Sequence, residues 1–247
     1  MAWFEDELFW LKYKEMMFDP DRLAATPTDV EQMIALANLP KKAVIYDHCC
    51  GFGRHALEFA KLGYAVTGVD RCTSYLDLAR GKAKKRNLNV EFIEADIRSF
   101  VAPDRFDFAY NFFTSLGYIE DAEEELQALR NVYTSLKSGG SFLIDIEGKE
   151  TLAKNFCESQ WFDGQDGSIM MVGARILDGW SRVENRWGYV KDGVYEETIF
   201  SHKIYSAWEL GTLLNEAGFS EVEFFGSLEG TPYDQDAERL IVLAHKS

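Results

Sequence analysis

The sequence predicts an α/β fold: a mostly parallel seven-stranded sheet with helices on both faces and an antiparallel β meander inserted late in the chain. Three observations carry this. From Ala43 to Ile146, apolar runs of strand length alternate with helix-period stretches, the pattern of parallel βαβ units. Two Asp-Gly pairs, Asp178-Gly179 and Asp192-Gly193, then divide β-rich runs between 169 and 203, the local signal of hairpins. A capped helix and two further apolar runs, Glu221 to Phe225 and Leu240 to His245, close the sheet.

Taken in order, residues 1 to 19 are dense in aromatics, with Trp3, Phe4, Phe9, Trp10, Tyr13 and Phe18 among acids and lysines. That reads as an amphipathic helix, either packed on the surface or folded over a ligand with Trp3 or Tyr13 reaching in. Thr28-Asp-Val-Glu31 matches a capping box and starts a helix to about Asn38, which Pro40 ends. Val44 to Tyr46 is a buried strand, Asp47 to Gly53 a glycine-containing turn, and Arg54 to Leu62 a helix stopped by Gly63. Ala65 to Val69 is the second strand, with Asp70 at its carboxyl end. Thr73 or Ser74 caps a helix to about Arg86. Val90 to Glu94 and Phe106 to Tyr110 are strands three and four. Asp121-Ala-Glu-Glu124 opens a helix running to Gly139-Gly140, and Ser141 to Ile146 is strand five. Ser206-Ala-Trp-Glu209 caps the last helix, which ends at Gly218.

The 247 residues suit one large domain with an insertion, and 47% hydrophobic content supports a real core. A formal charge of −15 repels phosphate backbones, so neither nucleic acid nor an anionic membrane is expected as a partner. The acidic start MAWFEDELFW lacks a signal's basic region, and no apolar run approaches the ~20 residues of a membrane span. Four cysteines are too few for a disulfide framework in this length, which points to the cytoplasm. Adjacent Cys49 and Cys50 lack the usual spacing of a zinc site, so no metal is expected.

The stretch from Ala43 to Asp70 organises the chain, because ligands of open α/β sheets bind at the carboxyl ends of the strands. Gly51-x-Gly53-x-x-Ala56 with Asp70 further on also satisfies a dinucleotide fingerprint, which would make the protein an NAD-dependent oxidoreductase. Against that reading, Asp47-His-Cys-Cys separates strand from glycine, a carboxylate stands near a turn that would face pyrophosphate, and the third strand ends in another acid, Asp96.

VIYDHCCGFGRH, VTGVD, EFIEADIRSF, FDFAYNFFTSLGY, LKSGGSFLIDI and the pair AGFSEVEFFG and RLIVLAHK fall in an order that resembles the class I S-adenosylmethionine (SAM)-dependent methyltransferases. The likeness covers about 40 to 150 and 205 to 246, and the inserted meander resembles that of the small-molecule type. One departure stands in the first motif, where Cys49 replaces a glycine.

The resemblance implies a Rossmann-like SAM domain over 41–150 and 205–247, covered by a helical segment at 1–40 and a β-rich lid at 151–204. Asp47, Cys49, Gly51 and Gly53 would form the turn around the cofactor's amino acid end. Asp70, with Arg71 beside it, would accept the ribose hydroxyls; Asp96 would take the adenine amino group and Ile97 pack on the ring. Asn111 and Phe112 would face the methyl donor. Tyr118, His202, Tyr205, Trp3 and Tyr13 are the candidate acceptor-binding residues. His202, Tyr205 and Glu147 are the candidate bases, though each reads more readily as a polar residue at an element's end. A SAM-like domain that binds without catalysis stays open, as do the acceptor and the oligomeric state.

Overall fold

The computed structural model describes residues 2–164 and 167–247. After a 3-10 turn at Trp3–Glu5 come α1 (Glu7–Met17) and α2 (Pro20–Leu36). The alternating unit follows: β1 (Val44–His48), α3 (Arg54–Lys61), β2 (Ala65–Asp70), α4 (Thr73–Arg86), β3 (Val90–Glu94), β4 (Phe106–Asn111), α5 (Ala122–Ser135) and β5 (Leu136–Ile146). Next are α6 (Lys149–Asn155) and four strands, β6 (Ser159–Asp163), β7 (Ile169–Leu177), β8 (Arg182–Lys191) and β9 (Val194–Lys203). The chain closes with α7 (Ala207–Ala217), β10 (Glu221–Phe225) and β11 (Leu240–His245).

Seven strands form one sheet in the order β10-β11-β5-β4-β1-β2-β3, with β11 antiparallel between β5 and β10. β6 to β9 form a separate antiparallel sheet. One core face packs Phe106, Leu129, Phe142 and Val242 with Leu210 and Leu214 of α7. The other packs Ile45, Phe108, Tyr110 and Leu143 with Val30 and Met33 of α2 and Phe59 of α3. Each such buried side chain contributes about 1.5–3 kcal/mol through apolar area removed from water. A third cluster joins Phe9 and Tyr13 of α1 to Met170 and Phe200 of the second sheet. That cluster fixes α1 to the meander.

Four sequence expectations need correction. α2 starts at Pro20 rather than Thr28: Asp19 accepts the Arg22 N–H at 2.9 Å, and proline suits a first helical position. Thr28 and Pro27 both lie inside the helix. α5 ends at Ser135, and Gly139-Gly140 lies within β5, because Leu136 already turns extended. The cap of α4 comes neither from Thr73 nor from Ser74. Glu7, 66 residues away, accepts the Thr73 N–H at 2.8 Å and the Ser74 hydroxyl at 2.7 Å, placing a carboxylate at a helix N-terminus. Finally, α6 and β6 extend the inserted region beyond the three expected strands.

Candidate active site

The carboxyl ends of β1, β2 and β3 open onto a cavity of about 340 Å³, roofed by α1 and the meander. Asp47, Cys49, Gly51, Asp70 and Arg71 line it from the first two strand ends. Asp96 and Ile97 line it after β3, and Phe112 and Tyr118 after β4. Trp3, Glu147 and His202 complete the expected set that reaches it.

Asp70 ties two of these ends together. Its carboxylate accepts the Gly51 N–H at 2.7 Å and the Cys72 N–H at 2.9 Å. Burial nonetheless raises its pKa. Burial pushes the Asp47 carboxyl up to about 7, against the pull of the Tyr110 hydroxyl, and the charge of Asp70 pushes the same way. One oxygen of Asp47 is buried with no hydrogen-bond partner among the described residues. Cys49 occupies the left-handed region at φ 65°, a conformation glycine adopts without strain. Burial raises its thiol pKa, so it stands as a neutral thiol.

Asp96 is held by Arg98, whose Nη2 lies 2.6 Å from one carboxylate oxygen and whose Nε donates to the other at 2.9 Å. Arg98 and Arg71 both reach Glu5 at 3.2 Å, so the N-terminal segment is pinned to the loops after β2 and β3. The Tyr75 hydroxyl donates to the Trp10 carbonyl at 2.6 Å. On the other side Trp3 donates its indole N–H to Ser201 at 3.1 Å, and Lys12 pairs with Glu196 at 2.6 Å. α1 therefore spans the cavity as a strap between the two sheets.

Residues 45–140 match the model of a methyltransferase domain family. A Bacillus subtilis (strain 168) relative named "Putative methyltransferase YqeM" is 26% identical over 217 residues, 85% of this chain and 87% of that one. The chain carries a methyltransferase domain. A SAM-dependent methyltransferase from Clostridium acetobutylicum ATCC 824 superposes with a TM-score of 0.80 at 17% identity, covering 97% of this chain and 98% of that one. The sugar N-methyltransferase KedS8 from Streptoalloteichus sp ATCC 53650 does so with a TM-score of 0.68 at 17% identity, covering 96% and 91%. At that identity the two structures speak for the fold. The dinucleotide reading of the glycine turn gives way to the methyltransferase domain match across it.

Not every expected site residue of the methyltransferase reaches the cavity. Gly53 is the N-cap of α3, and a Cβ there would meet the Phe92 ring at 2.8 Å, so its glycine serves packing. Asn111 is 1% exposed and donates its amide to His48 Nδ1 at 2.8 Å, which anchors the β1 and β4 ends behind the cavity wall. Tyr13 is turned into the meander, donating to Thr198 Oγ1 at 2.9 Å. The Tyr205 hydroxyl donates to Glu125, away from the cavity, which removes it as a base and as an acceptor contact. His202 does line the cavity, where burial lowers its pKa to about 4 and keeps it neutral. Sequence reasoning missed Glu5 and Glu7, whose partners lie far along the chain, Arg98, which stands two residues from the Asp96 it holds, and Trp187, an inward residue of β8 whose alternation with Arg186 was the available signal.

SAM fits the residues present. A partnerless carboxylate oxygen on Asp47 suits an ammonium group, and Asp70 retains acceptor capacity beyond its two backbone bonds. No helix of the described residues is long and apolar enough to cross a membrane.

Proposed function

We propose that the enzyme methylates a small molecule held between the strand ends and the strap and meander above them. One observation carries this reading: Asp47, Asp70 and Ile97, from three successive strand ends, face the same cavity that the meander closes with Asn185, Trp187 and His202. Bound SAM supplies a methyl group already activated by its sulfonium, transferred by in-line displacement. The Asp47 carboxylate pairs with the cofactor's ammonium. Asp70 accepts its ribose hydroxyls while keeping the Gly51 turn in place. Ile97 packs on the adenine, and Phe112 borders the reacting end. The Asp96 carboxylate, committed to Arg98, contributes less to the adenine than the resemblance implies. Residues 1–40 and 151–204 act as the cover that excludes water and selects the acceptor.

KedS8 is described as acting on a sugar nitrogen, in keeping with a small acceptor here. With a net charge of −15 the enzyme is a poor ligand for nucleic acid. Its four free cysteines fit a reducing cytoplasm. Parallel calorimetric titrations with SAM, S-adenosylhomocysteine and NAD test the reading. Saturable binding of the first two alone is expected, and binding of NAD alone would overturn it. Release of S-adenosylhomocysteine with any acceptor separates an enzyme from a SAM-binding protein without catalysis.

A further inference from the structure

Charge is divided unevenly around the cavity. Asp47, Asp70 and Asp96, with Arg54, Arg71 and Arg98, all belong to the sheet side, and Glu147 follows β5. Among the described residues, the strap and the meander contribute no ionised side chain to the lining: Trp3, Phe9 and Trp10 come from one, Asn185, Trp187 and Phe200 from the other. His202, the only titratable group among the meander's described lining residues, is held neutral by burial and by the nearby charge of Arg182. Tyr118 stands between the two halves, its ring 4.6 Å from that of Trp3 and 5.7 Å from that of His202.

The aromatic half is fitted to a neutral guest. The nearest cation, Arg182, is already paired with Glu120, so an anion buried there would meet no free cation to repay its desolvation. A cation would need open ring faces, yet Trp3 with Phe9, Phe9 with Phe200 and Trp187 with Phe200 pack edge to face, at 5.1, 5.1 and 4.8 Å. In each such pair one face is already taken by a neighbour's edge. The indole N–H of Trp187 is buried with no acceptor among the described residues, although buried indoles ordinarily have one. An ammonium has no lone pair to give it; an oxygen does.

Resting on the cofactor assignment above, we propose that the acceptor is an uncharged, planar aromatic molecule bearing an oxygen function. Its ring is seated among Trp3, Phe9, Tyr118 and Phe200, and its oxygen accepts from Trp187 and meets the neutral Asn185–His202 pair. That pair approaches to 3.4 Å between the Asn185 amide nitrogen and His202 Nδ1, long enough to open for a guest.

Three probes of one shape and different charge test this by calorimetry on the full chain at pH 7: 2-naphthol, 2-naphthoate and 2-naphthylmethylamine, which is an ammonium ion at that pH. In protein saturated with S-adenosylhomocysteine, 2-naphthol should bind at least tenfold more tightly than either charged probe. Trp187→Phe, which keeps the ring and removes the donor, should weaken 2-naphthol about tenfold and leave S-adenosylhomocysteine affinity unchanged. Equal or tighter binding of either charged probe, or no binding of 2-naphthol, overturns the proposal. The titrations repeated without S-adenosylhomocysteine read the aromatic half alone. Failure of S-adenosylhomocysteine to bind therefore sinks the cofactor reading, whereas a reversed charge order sinks this one.

Discussion

Asp70 accepts the backbone N–H of Gly51 at 2.7 Å, so the acid at the end of β2 holds the glycine turn at the end of β1. The side chain assigned to the ribose is thus also a strut of the turn beside it. Asp70→Ala should weaken S-adenosylhomocysteine binding by about 1.5–3 kcal/mol, the loss expected for hydrogen bonds to a charged group. Asp70→Asn, which keeps one acceptor oxygen, should fall between the two. Calorimetry on variants that unfold cooperatively checks this, and unchanged affinity in a folded Asp70→Ala rejects the ribose assignment.

Cys49 stands at φ 65°, where an L-residue pays about 1–2 kcal/mol and glycine does not. Comparing Cys49→Gly with Cys49→Ala isolates that strain, since both remove the thiol. The glycine variant should be the more stable by about 1 kcal/mol, or roughly 2–4 °C in Tm for a chain of this size. Equal melting temperatures would mean that the turn relaxes around either residue.

The sheet was legible because its signals are local. Buried strand runs, Gly63 and Gly218 as helix stops, and Asp178-Gly179 and Asp192-Gly193 as hairpin turns each act within a few residues, and the turn positions adopt the positive φ they foretell. The helix start at Thr28 was misread for a local reason too: an Asp19-Pro20 start competes with it and wins, because Asp19 caps the Arg22 N–H and proline suits the first helical position. The strand-end acids Asp47, Asp70 and Asp96 were legible as site residues from their place in the βαβ pattern. The strap was legible as an aromatic helix but not as a fastener. Glu5 meets Arg98 across 93 positions and Glu7 meets Thr73 across 66, and no periodicity encodes such pairings. Tyr13 and Trp3 look alike in sequence; only the packing against β8 and β9 sends one into the core and the other to the cavity.

Glu5 and Glu7 should govern how fast the cofactor leaves. Both carboxyls are held below their ordinary value of 4.5, Glu5 by the Ala2 N–H and by Arg71, Glu7 by the Ser74 hydroxyl. A lowered carboxyl stabilises the fastened state above 4.5 and loses that contribution as pH falls through its folded pKa. In stopped-flow measurement of S-adenosylhomocysteine release, the ratio of the rate in Glu5→Gln with Glu7→Gln to that in the parent protein should therefore be flat between about pH 6 and 8, since the titration of Asp47 is common to both. Glu5→Gln with Glu7→Gln should raise the release rate several-fold at pH 7, as should deletion of the strap. An unaltered rate in both would leave α1 as surface packing alone.

Asp47 predicts a proton linked to binding. Burial raises its carboxyl from 3.8 to about 7, so the folded protein holds this proton more tightly than the unfolded chain does. Such a group costs nothing below 3.8 and destabilises progressively as pH rises toward 7. Asp47→Asn should accordingly gain stability over the parent protein as pH climbs from 4 to 8, the reverse of the usual carboxylate behaviour. An ammonium placed against Asp47 favours the ionised form, so SAM binding near pH 7 should expel a fraction of a proton. Titrations in phosphate and in Tris, whose ionisation enthalpies differ widely, read that proton directly. Binding heats that do not depend on the buffer, or that stay buffer-dependent in Asp47→Asn, would separate Asp47 from the cofactor's amino group.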